Sequence, residues 1–194
     1  MANKIKYGLK NVYFAVATIA NDNTATYGTP VAFPGAVSIS LDPEGEAEPF
    51  YADNVQYWIG NGNNGYSGDL EMARIIDDFK TDILGYIEDS HGVIIEDANA
   101  ETVHFALMFQ FEGDQKATRH VLYNCTATRA GTEGETKGES IEPGTETVTI
   151  TATSIYNSAL GTDIVKAELT DGVYDTGYNA WFTTVYQPAA AVTT

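Results

Sequence analysis

Residues 103–111 read Val-His-Phe-Ala-Leu-Met-Phe-Gln-Phe, the stretch in which side chains alternate most clearly along the chain. Its odd positions are all large and apolar, whereas His104 and Gln110 fall on the other face, as expected for a β-strand whose side chains alternate between two faces. We therefore expect a strand in the hydrophobic core. The short polar stretch 112–116 and the residues 119–128 that follow predict the second half of a β-hairpin.

The same period of two recurs along the chain. Residues 147–153 alternate Thr with Val148, Ile150 and Ala152, which predicts a strand with one face in solvent. Four more stretches complete the predicted strands, at residues 12–19, 31–41, 55–59 and 66–74. A chain of 194 residues with 43% hydrophobic content is the size of one domain, so the sequence predicts one mainly β domain over residues 1–194.

Two segments have helical spacing instead. Between residues 75 and 87, apolar side chains recur at intervals of three and four with Asp and Lys between them, which predicts an amphipathic helix beside the sheet. Residues 175–187 predict a short C-terminal helix. We expect it to dock on the sheet of its own chain, because an exposed apolar stripe would make the free chain aggregate; the alternative is a tail arm that folds only on a neighbouring subunit. The side chains expected to pack there are Tyr178, Trp181, Phe182, Val185 and Tyr186.

Two other segments predict projecting loops. Residues 42–54 begin with Asp-Pro-Glu-Gly-Glu-Ala-Glu-Pro, which carries four acidic residues and no basic one. Such a segment cannot pack in a core, so it should extend into solvent or towards a partner. Residues 130–145 combine Gly with Glu and Thr, which is typical of a mobile surface loop.

The charge of the chain argues against nucleic-acid binding. Its net charge of −17, from 27 acidic and 10 basic residues, repels a phosphate backbone, and the basic residues form no stripe beyond Lys4, Lys6 and Lys10. Cys125 is the only cysteine, which excludes a disulfide within the chain and predicts a small buried apolar side chain.

The N-terminus allows two interpretations. The three lysines precede an apolar run at residues 12–17, as in a secretory signal, but the run is short and Tyr7 and Leu9 interrupt the basic region. A first β-strand is the better interpretation. No other run approaches the length of a membrane-spanning helix, so we expect no membrane association and a protein made in the cytoplasm.

Motifs for catalysis or cofactor binding are weak. Residues 60–65 read Gly-Asn-Gly-Asn-Asn-Gly and match a dinucleotide-binding fingerprint literally, but the Asn-rich filling and Gly68 favour a turn between strands. His91, His104 and His120 lack metal-ligand spacing, and we expect exposed polar side chains there. The sequence therefore predicts no enzyme, no cofactor and no metal.

Several segments together resemble the major tail proteins, or tail tube proteins, of siphophages with long non-contractile tails that infect Gram-positive bacteria. These segments are residues 6–12, 34–37, 41–45, 50–54, 64–71, 120–125, 141–143 with 146–147, and 178–182. The resemblance spans nearly the whole chain.

The resemblance implies a β-sandwich or barrel-like tail tube fold with one flanking α-helix and a short C-terminal helix. It also implies a virion protein that forms stacked, usually hexameric, rings around a channel through which DNA passes without tight binding. Its partners would be copies of itself, the tape measure, tail terminator and distal tail proteins. We then expect the subunit or ring contacts at Asp42, Pro43, Glu44, Glu46, Glu48, Tyr51 and Asp53.

Two alternatives from other classes remain open on the sequence alone. A monomeric carbohydrate-binding or adhesin-like β-sandwich would stack sugars on exposed Tyr51, Tyr57 and Trp58. An unrecognised hydrolase would use dispersed carboxylates, and its turnover would be lost when one Asp or Glu is changed.

Overall fold

The computed structural model describes residues 7–45, 47–132, 134, 136 and 143–190. These residues form fifteen strands and two short helices. The strands are β1 (Leu9–Ile19), β2 (Ala25–Tyr27), β3 (Val31–Ala32), β4 (Ala36–Glu44), β5 (Ala47–Ala52), β6 (Val55–Asn61), β7 (Gly65–Met72), β8 (Ile87–Glu88), β9 (Ile94–Ile95), β10 (Phe105–Phe111), β11 (Arg119–Ala127), β12 (Glu146–Thr153), β13 (Ile155–Asn157), β14 (Thr162–Ile164) and β15 (Lys166–Leu169). The helices are α1 (Asp77–Asp82), between β7 and β8, and α2 (Asp175–Ala180), after β15.

Nine strands form one antiparallel sheet, which confirms the prediction of a mainly β fold. Its order is β2-β1-β10-β11-β12-β7-β4, with β15 also paired to β11 and β3 to β1. The predicted hairpin of β10 and β11 is confirmed by a register that runs from Phe105 opposite Cys125 to Gln110 opposite Arg119. The sheet bends until β4 approaches β1. No ladder joins these two strands among the described residues, so the sheet is sandwich-like and does not close into a barrel.

An irregularity in β11 divides the sheet into two layers. Between the Phe105–Cys125 and Leu107–Leu122 pairs, β11 contains one more residue than β10, which is a β-bulge. Before this bulge β11 pairs with β15, and after it β11 pairs with β12. The bulge therefore directs the β12-β7-β4 part of the sheet away from the β15-β11-β10 part.

Strand β10 is buried on both faces. Its odd positions enter a core enclosed by the bent sheet and covered by α1, which we call the inner core. Aromatic rings fill its centre, where Phe79 of α1 packs against Phe14, Phe33 and Phe105 at centroid distances of 5.1, 4.7 and 5.5 Å. The even positions of β10 enter a second core on the other side of the sheet, called here the C-terminal core. Its buried members are Ala15, Ala106, Met108, Val121, Tyr123, Ile155, Trp181 and Val185.

The second face of β10 differs from the sequence prediction in one respect. Gln110 is only 6% exposed, although a polar side chain on that face would be expected in solvent. Its amide is satisfied locally, because Asn11 Nδ2 donates to Gln110 Oε1 at 3.2 Å and Gln110 Nε2 donates to the Ala117 carbonyl at 3.4 Å. A buried polar group with hydrogen-bond partners is tolerated in a core.

Helix α1 is shorter than the segment predicted from apolar spacing. Phe79, Ile83 and Leu84 are buried as the spacing requires. The helix ends at Asp82, and Gly85 follows with φ +74°, a left-handed conformation that glycine adopts easily and that commonly stops a helix. Ile87, expected on the helix, lies in β8 and is 52% exposed.

The C-terminal segment is also less helical than predicted. Helix α2 covers residues 175–180, and the residues up to 184 form turns instead of continuing it to 187. Trp181 and Val185 are 1% and 3% exposed in the C-terminal core, and Tyr178 is 8% exposed beside it, whereas Phe182 and Tyr186 are partly buried. The turns preserve enough of the helical spacing to keep the stripe on the sheet.

Polar contacts fix this segment to the hairpin of β10 and β11. Trp181 Nε1 donates to the His120 carbonyl at 3.3 Å, and Tyr178 Oη donates to the Ala117 carbonyl at 2.8 Å. The Arg119 guanidinium donates to the Tyr178 carbonyl and lies 3.7 Å from the centroid of the Tyr178 ring. The Phe182 ring stacks on Tyr13 at 4.8 Å.

The predicted loops have different outcomes. The prediction of an irregular loop at residues 42–54 is wrong, because these residues include the end of β4 and all of β5. Proline is compatible with this hairpin, since strands without partners on one side tolerate a missing N–H donor. Of residues 130–145, those at 130–132, 134, 136 and 143–145 have no helix or strand, and the rest lie outside the described residues.

We predict that Trp181→Ala lowers the free energy of unfolding by about 3–5 kcal/mol, because it removes a large, fully buried ring. Thr184→Ala is the matched control, since Thr184 lies on the exposed side of the same segment and should change stability by less than about 0.5 kcal/mol. Chemical denaturation of the two variants measures the difference. Equal midpoints would show that the segment does not stabilise the fold.

Candidate assembly surfaces

The solvent side of β4, β7, β12 and the end of β11 forms a surface of small hydroxyl and carboxylate side chains. Cross-strand pairing aligns them in rows, with Ser38, Glu71 and Thr147 in one row and Ser40, Asp69 and Thr149 in the next. A third row contains Asp42, Ser67, Thr151 and Thr126. We call this surface the hydroxyl–carboxylate face. None of the residues of β4, β7 and β12 is Lys or Arg.

Hydrogen bonds between neighbouring strands order this face. The hydroxyls of Ser38 and Thr145 donate to the two Glu71 carboxylate oxygens at 2.8 and 2.7 Å, and Thr149 donates to Asp69 at 2.8 Å. The Thr145 bond, followed by the Ser38 bond, lowers the pKa of Glu71 below its ordinary value, since both bonds favour the charged form. The face is therefore anionic at neutral pH.

A two-stranded arm continues from one end of this face. We use the name arm for β5, the Asp53–Asn54 turn and β6, residues 47–61. It prolongs the β4–β7 hairpin across a short break, where the Asn64 amide donates to the Glu44 carbonyl at 2.9 Å. Gly65 at its base has φ +100°, and a Cβ there would lie 1.9 Å from the Ala152 carbonyl oxygen, so only glycine fits.

The tip of the arm is a tight turn. Asp53 and Asn54 have φ values of +51° and +62°, as the two central residues of a type I′ turn require. Three large side chains on this part of the arm are exposed: Tyr51 at 63%, Val55 at 59% and Tyr57 at 75%. An exposed group of apolar and aromatic side chains on a projecting element is typical of a contact surface.

The predicted interface residues are distributed along this hairpin. Asp42, Pro43 and Glu44 are exposed at the end of β4, Tyr51 is exposed in β5, and Asp53 is exposed in the turn. Glu46 lies outside the described residues, and for Glu48 only the backbone position in β5 is described. What the prediction missed is the pairing with 55–61, for which the turn-forming Asp-Asn at 53–54 was the available signal.

The residues that match cofactor or metal motifs form no binding site in the part of the chain that the structure describes. Residues 60–65 join β6 to β7, and a strand follows where a dinucleotide site requires a helix. No three His, Cys, Asp or Glu side chains within the described ranges converge as metal ligands. His104 is half-buried and its Nδ1 lies 2.7 Å from Asn124 Oδ1, while His120 stacks on Phe109 at 5.1 Å. Only His91 is exposed as expected, so the other two side chains are partly structural.

Cys125 has the environment that the sequence predicted. It is fully buried in the inner core, and desolvation raises the pKa of its thiol far above the ordinary range. Neither helix in the described part of the chain has the length and apolar character needed to cross a lipid bilayer.

These surfaces belong to a mainly β, sandwich-like protein that presents an anionic face and a two-stranded arm. A family model described as "Phage tail tube protein" matches residues 2–189, so the chain belongs to the phage tail tube protein family. This is a structural family of the virion tail and not a family of enzymes, which agrees with the sequence prediction and removes the hydrolase alternative. Membership implies self-assembly and contact with other tail components.

One chain of "Cryo-EM structure of the anti-feeding prophage (AFP) baseplate, 6-fold symmetrised" is similar at 12% identity and a TM-score of 0.44, over 89% of this chain and 99% of that one. A search of curated proteins found no match.

We predict that Thr145→Val raises the pKa of Glu71 towards its ordinary value, and that Ser38→Ala raises it by less. Carboxyl chemical shifts followed by NMR through an acid titration measure the pKa. Thr151→Val, on the same face without a bond to Glu71, is the control. An unchanged Glu71 pKa in the Thr145 variant would contradict the hydrogen-bond assignment.

The sign of the linked stability effect follows from the same bonds. Because the pKa of Glu71 is lower in the folded chain, its contribution is present above the unfolded pKa and is lost as pH falls through the folded pKa. The difference in unfolding free energy between the wild-type chain and Thr145→Val should therefore shrink on acidification.

Proposed function

We propose that this chain is the tube subunit of a siphophage tail, built as one domain that assembles into stacked hexameric rings through which DNA is delivered. The observation that carries the proposal is the combination of the hydroxyl–carboxylate face with membership of the tail tube protein family. The resemblance of its segments to tail proteins of phages with Gram-positive hosts supports that host class.

The hydroxyl–carboxylate face is the wall of the channel in this proposal. Duplex DNA carries about one negative charge per 1.7 Å of helix axis, and basic side chains on a protein hold it by releasing counterions. Strands β4, β7 and β12 of this wall carry no Lys or Arg and provide no such sites, and carboxylates such as Asp69 and Glu71 repel the phosphates. Arg129, which borders the wall at the end of β11, is paired with Glu96. Short Ser and Thr side chains keep the wall smooth, so DNA would slide without being bound.

The exposed arm serves assembly in this proposal. The arm extends beyond the sheet and exposes Tyr51, Val55 and Tyr57, so it is suited to reach a neighbouring subunit or ring. The predicted contacts at residues 42–54 are part of this hairpin. At the ends of the tube, the subunits would meet the tail terminator and distal tail proteins, with the tape measure protein inside the channel before DNA passes.

The location of the chain in the particle tests the proposal directly. Antibody against this chain should decorate the shaft of the tail at regular intervals along its length in electron micrographs. Labelling restricted to the head or to the tail tip, or an unlabelled shaft, would refute the proposed function. Purified subunits are a less decisive sample, because tail subunits can remain monomeric until assembly is initiated.

We predict that Thr149→Lys leaves tail assembly intact and slows DNA ejection. The lysine would project from the hydroxyl–carboxylate face, and a copy in every subunit would line the channel with cations that hold phosphates. Thr184→Lys, on the exposed side of the C-terminal segment, is the control and should eject normally. Ejection triggered in vitro and followed by release of dye-accessible DNA gives the rate.

Salt provides a second test of the same variant. The slowing caused by Thr149→Lys should weaken as the salt concentration rises, since attraction to phosphates is screened. If tails that carry Thr149→Lys eject DNA at the wild-type rate at low salt, this face does not line the channel.

A further inference from the structure

An open pocket of about 190 Å³ lies where the two layers of the sheet separate. Its apolar lining comes from both layers, with Ile39 and Leu41 from β4 and Phe109 and Leu122 from the hairpin of β10 and β11. An apolar cavity of about 150 Å³ is large enough to bind benzene. By that comparison, one aromatic ring fits in this pocket.

A cation stands at the opening of the pocket. Lys166 of β15 lines it together with Tyr66, and the Lys166 ammonium lies 5.0 Å from the centroid of the Tyr66 ring. No carboxylate of the described residues lies within 4.0 Å of this ammonium. Lys10, Lys80 and Arg129 have an acidic partner at that distance, and Arg74, Lys116 and Arg119, like Lys166, have none among the described residues. In a chain of net charge −17, a lysine left without such a partner favours an acidic ligand.

The arm carries an aromatic side chain that suits the size of the pocket, and acidic residues around it suit the lysine. Phe50 pairs with Trp58 and Tyr51 with Gln56, so Tyr57 is the extra residue of a β-bulge in β6. Bulges redirect side chains, and the Tyr57 side chain is 75% exposed. The surrounding hairpin, residues 42–61, contains five acidic residues and no Lys or Arg: Asp42, Glu44, Glu46, Glu48 and Asp53.

We propose that the arm of a second copy of this chain docks at the pocket, with its Tyr57 ring between the two layers and Asp53 on the side of Lys166. This inference rests on the proposed self-assembly and adds the receiving surface. Aromatic rings that fill a pocket are the usual centres of binding energy in protein interfaces, and a complementary charge selects the partner and its orientation.

The geometry excludes the arm of the same chain. The pocket includes Tyr66, which lies directly after the base of the arm, whereas Tyr57 is four residues from Asn61 at that base. Four residues of strand span about 13 Å. The paired strands would have to fold back on themselves to bring Tyr57 to its own pocket, so the contact is between subunits and joins different surfaces. Such a heterologous contact builds rings or filaments.

Site-directed cross-linking between two tagged chains tests the contact. One chain carries Tyr57→Cys and the other Lys166→Cys, and the two are co-expressed with the tail components so that mixed tails form. Cys125 is fully buried and does not compete for the thiol reagent. A short bismaleimide should produce dimers that contain both tags. Replacing Lys166→Cys by Lys116→Cys, exposed in the loop between β10 and β11, should abolish them.

Alanine variants provide the energetic test. Tyr57→Ala should reduce the yield of tails by at least about tenfold, as expected for an interface centre, and leave the thermal melting of the free subunit unchanged because Tyr57 is exposed. Gln56→Ala, at the neighbouring exposed position, should assemble as the wild type does.

The outcomes separate this inference from the proposed function. Normal tails from Tyr57→Ala, no mixed-tag dimer, or equal cross-linking to Lys116→Cys would overturn the docking site and leave the tail tube assignment standing. If wild-type chains are absent from the tail shaft, the proposed function fails first and the docking site fails with it.

Discussion

The burial of β10 on both faces constrains the rest of the fold. Phe105 and Leu107 face the inner core, while Ala106 and Met108 between them face the C-terminal core. Each large apolar side chain contributes about 1.5–3 kcal/mol when fully buried, so neither face of this strand can be left in solvent. The bent sheet with α1 covers one face. The other is covered by the C-terminal segment, which explains why Trp181 packs there although a helix of only six residues precedes it.

The two layers of the sandwich arise from the same strand pair. Because β11 contains an extra residue opposite β10, its second half turns away and takes β12 as its partner in place of β15. Asn124 stabilises the bulge through a contact with His104 Nδ1 at 2.7 Å and a bond from its amide to Thr153 Oγ1 at 2.9 Å. The layer that turns away has only one buried face, and its other face becomes the hydroxyl–carboxylate face.

Alternation was sufficient to predict the elements that have one buried and one exposed face. Strand β12 behaves as its sequence indicates, with Val148 and Ile150 buried and Thr151 exposed. The second core was less visible in the sequence, because Ala106 and Met108 share their side of β10 with polar Gln110, and only the structure shows that Asn11 satisfies its amide. The predicted ends of both helices are wrong for local reasons. Gly85 stops α1, and the residues after Ala180 continue as turns.

The prediction of a loop at the anionic segment 42–54 is wrong for a different reason. Its charge and prolines exclude a core position, but a hairpin that extends beyond the sheet needs no buried face, so acidic residues and proline are compatible with pairing there. The surface that we propose for this hairpin includes residues more than a hundred positions away, such as Lys166, and no local sequence pattern indicates such a surface. Long-range pairing, not local preference, determines the candidate surfaces.

The negative charge of this chain opposes association between its copies, and the fold places the anionic face and the surfaces suited to contact on different parts of the molecule. Subunits with a net charge of −17 repel one another, so contacts between them require surfaces that are apolar or that carry a cation. The hydroxyl–carboxylate face has neither property, whereas the arm exposes Tyr51 and Tyr57 and the pocket pairs an apolar lining with Lys166. Because the face and the pocket lie on opposite sides of the β4–β7 layer, association through the pocket leaves the anionic face uncovered. In the ring that we propose, that arrangement would turn the charge that opposes assembly into the lining of a channel that does not hold DNA.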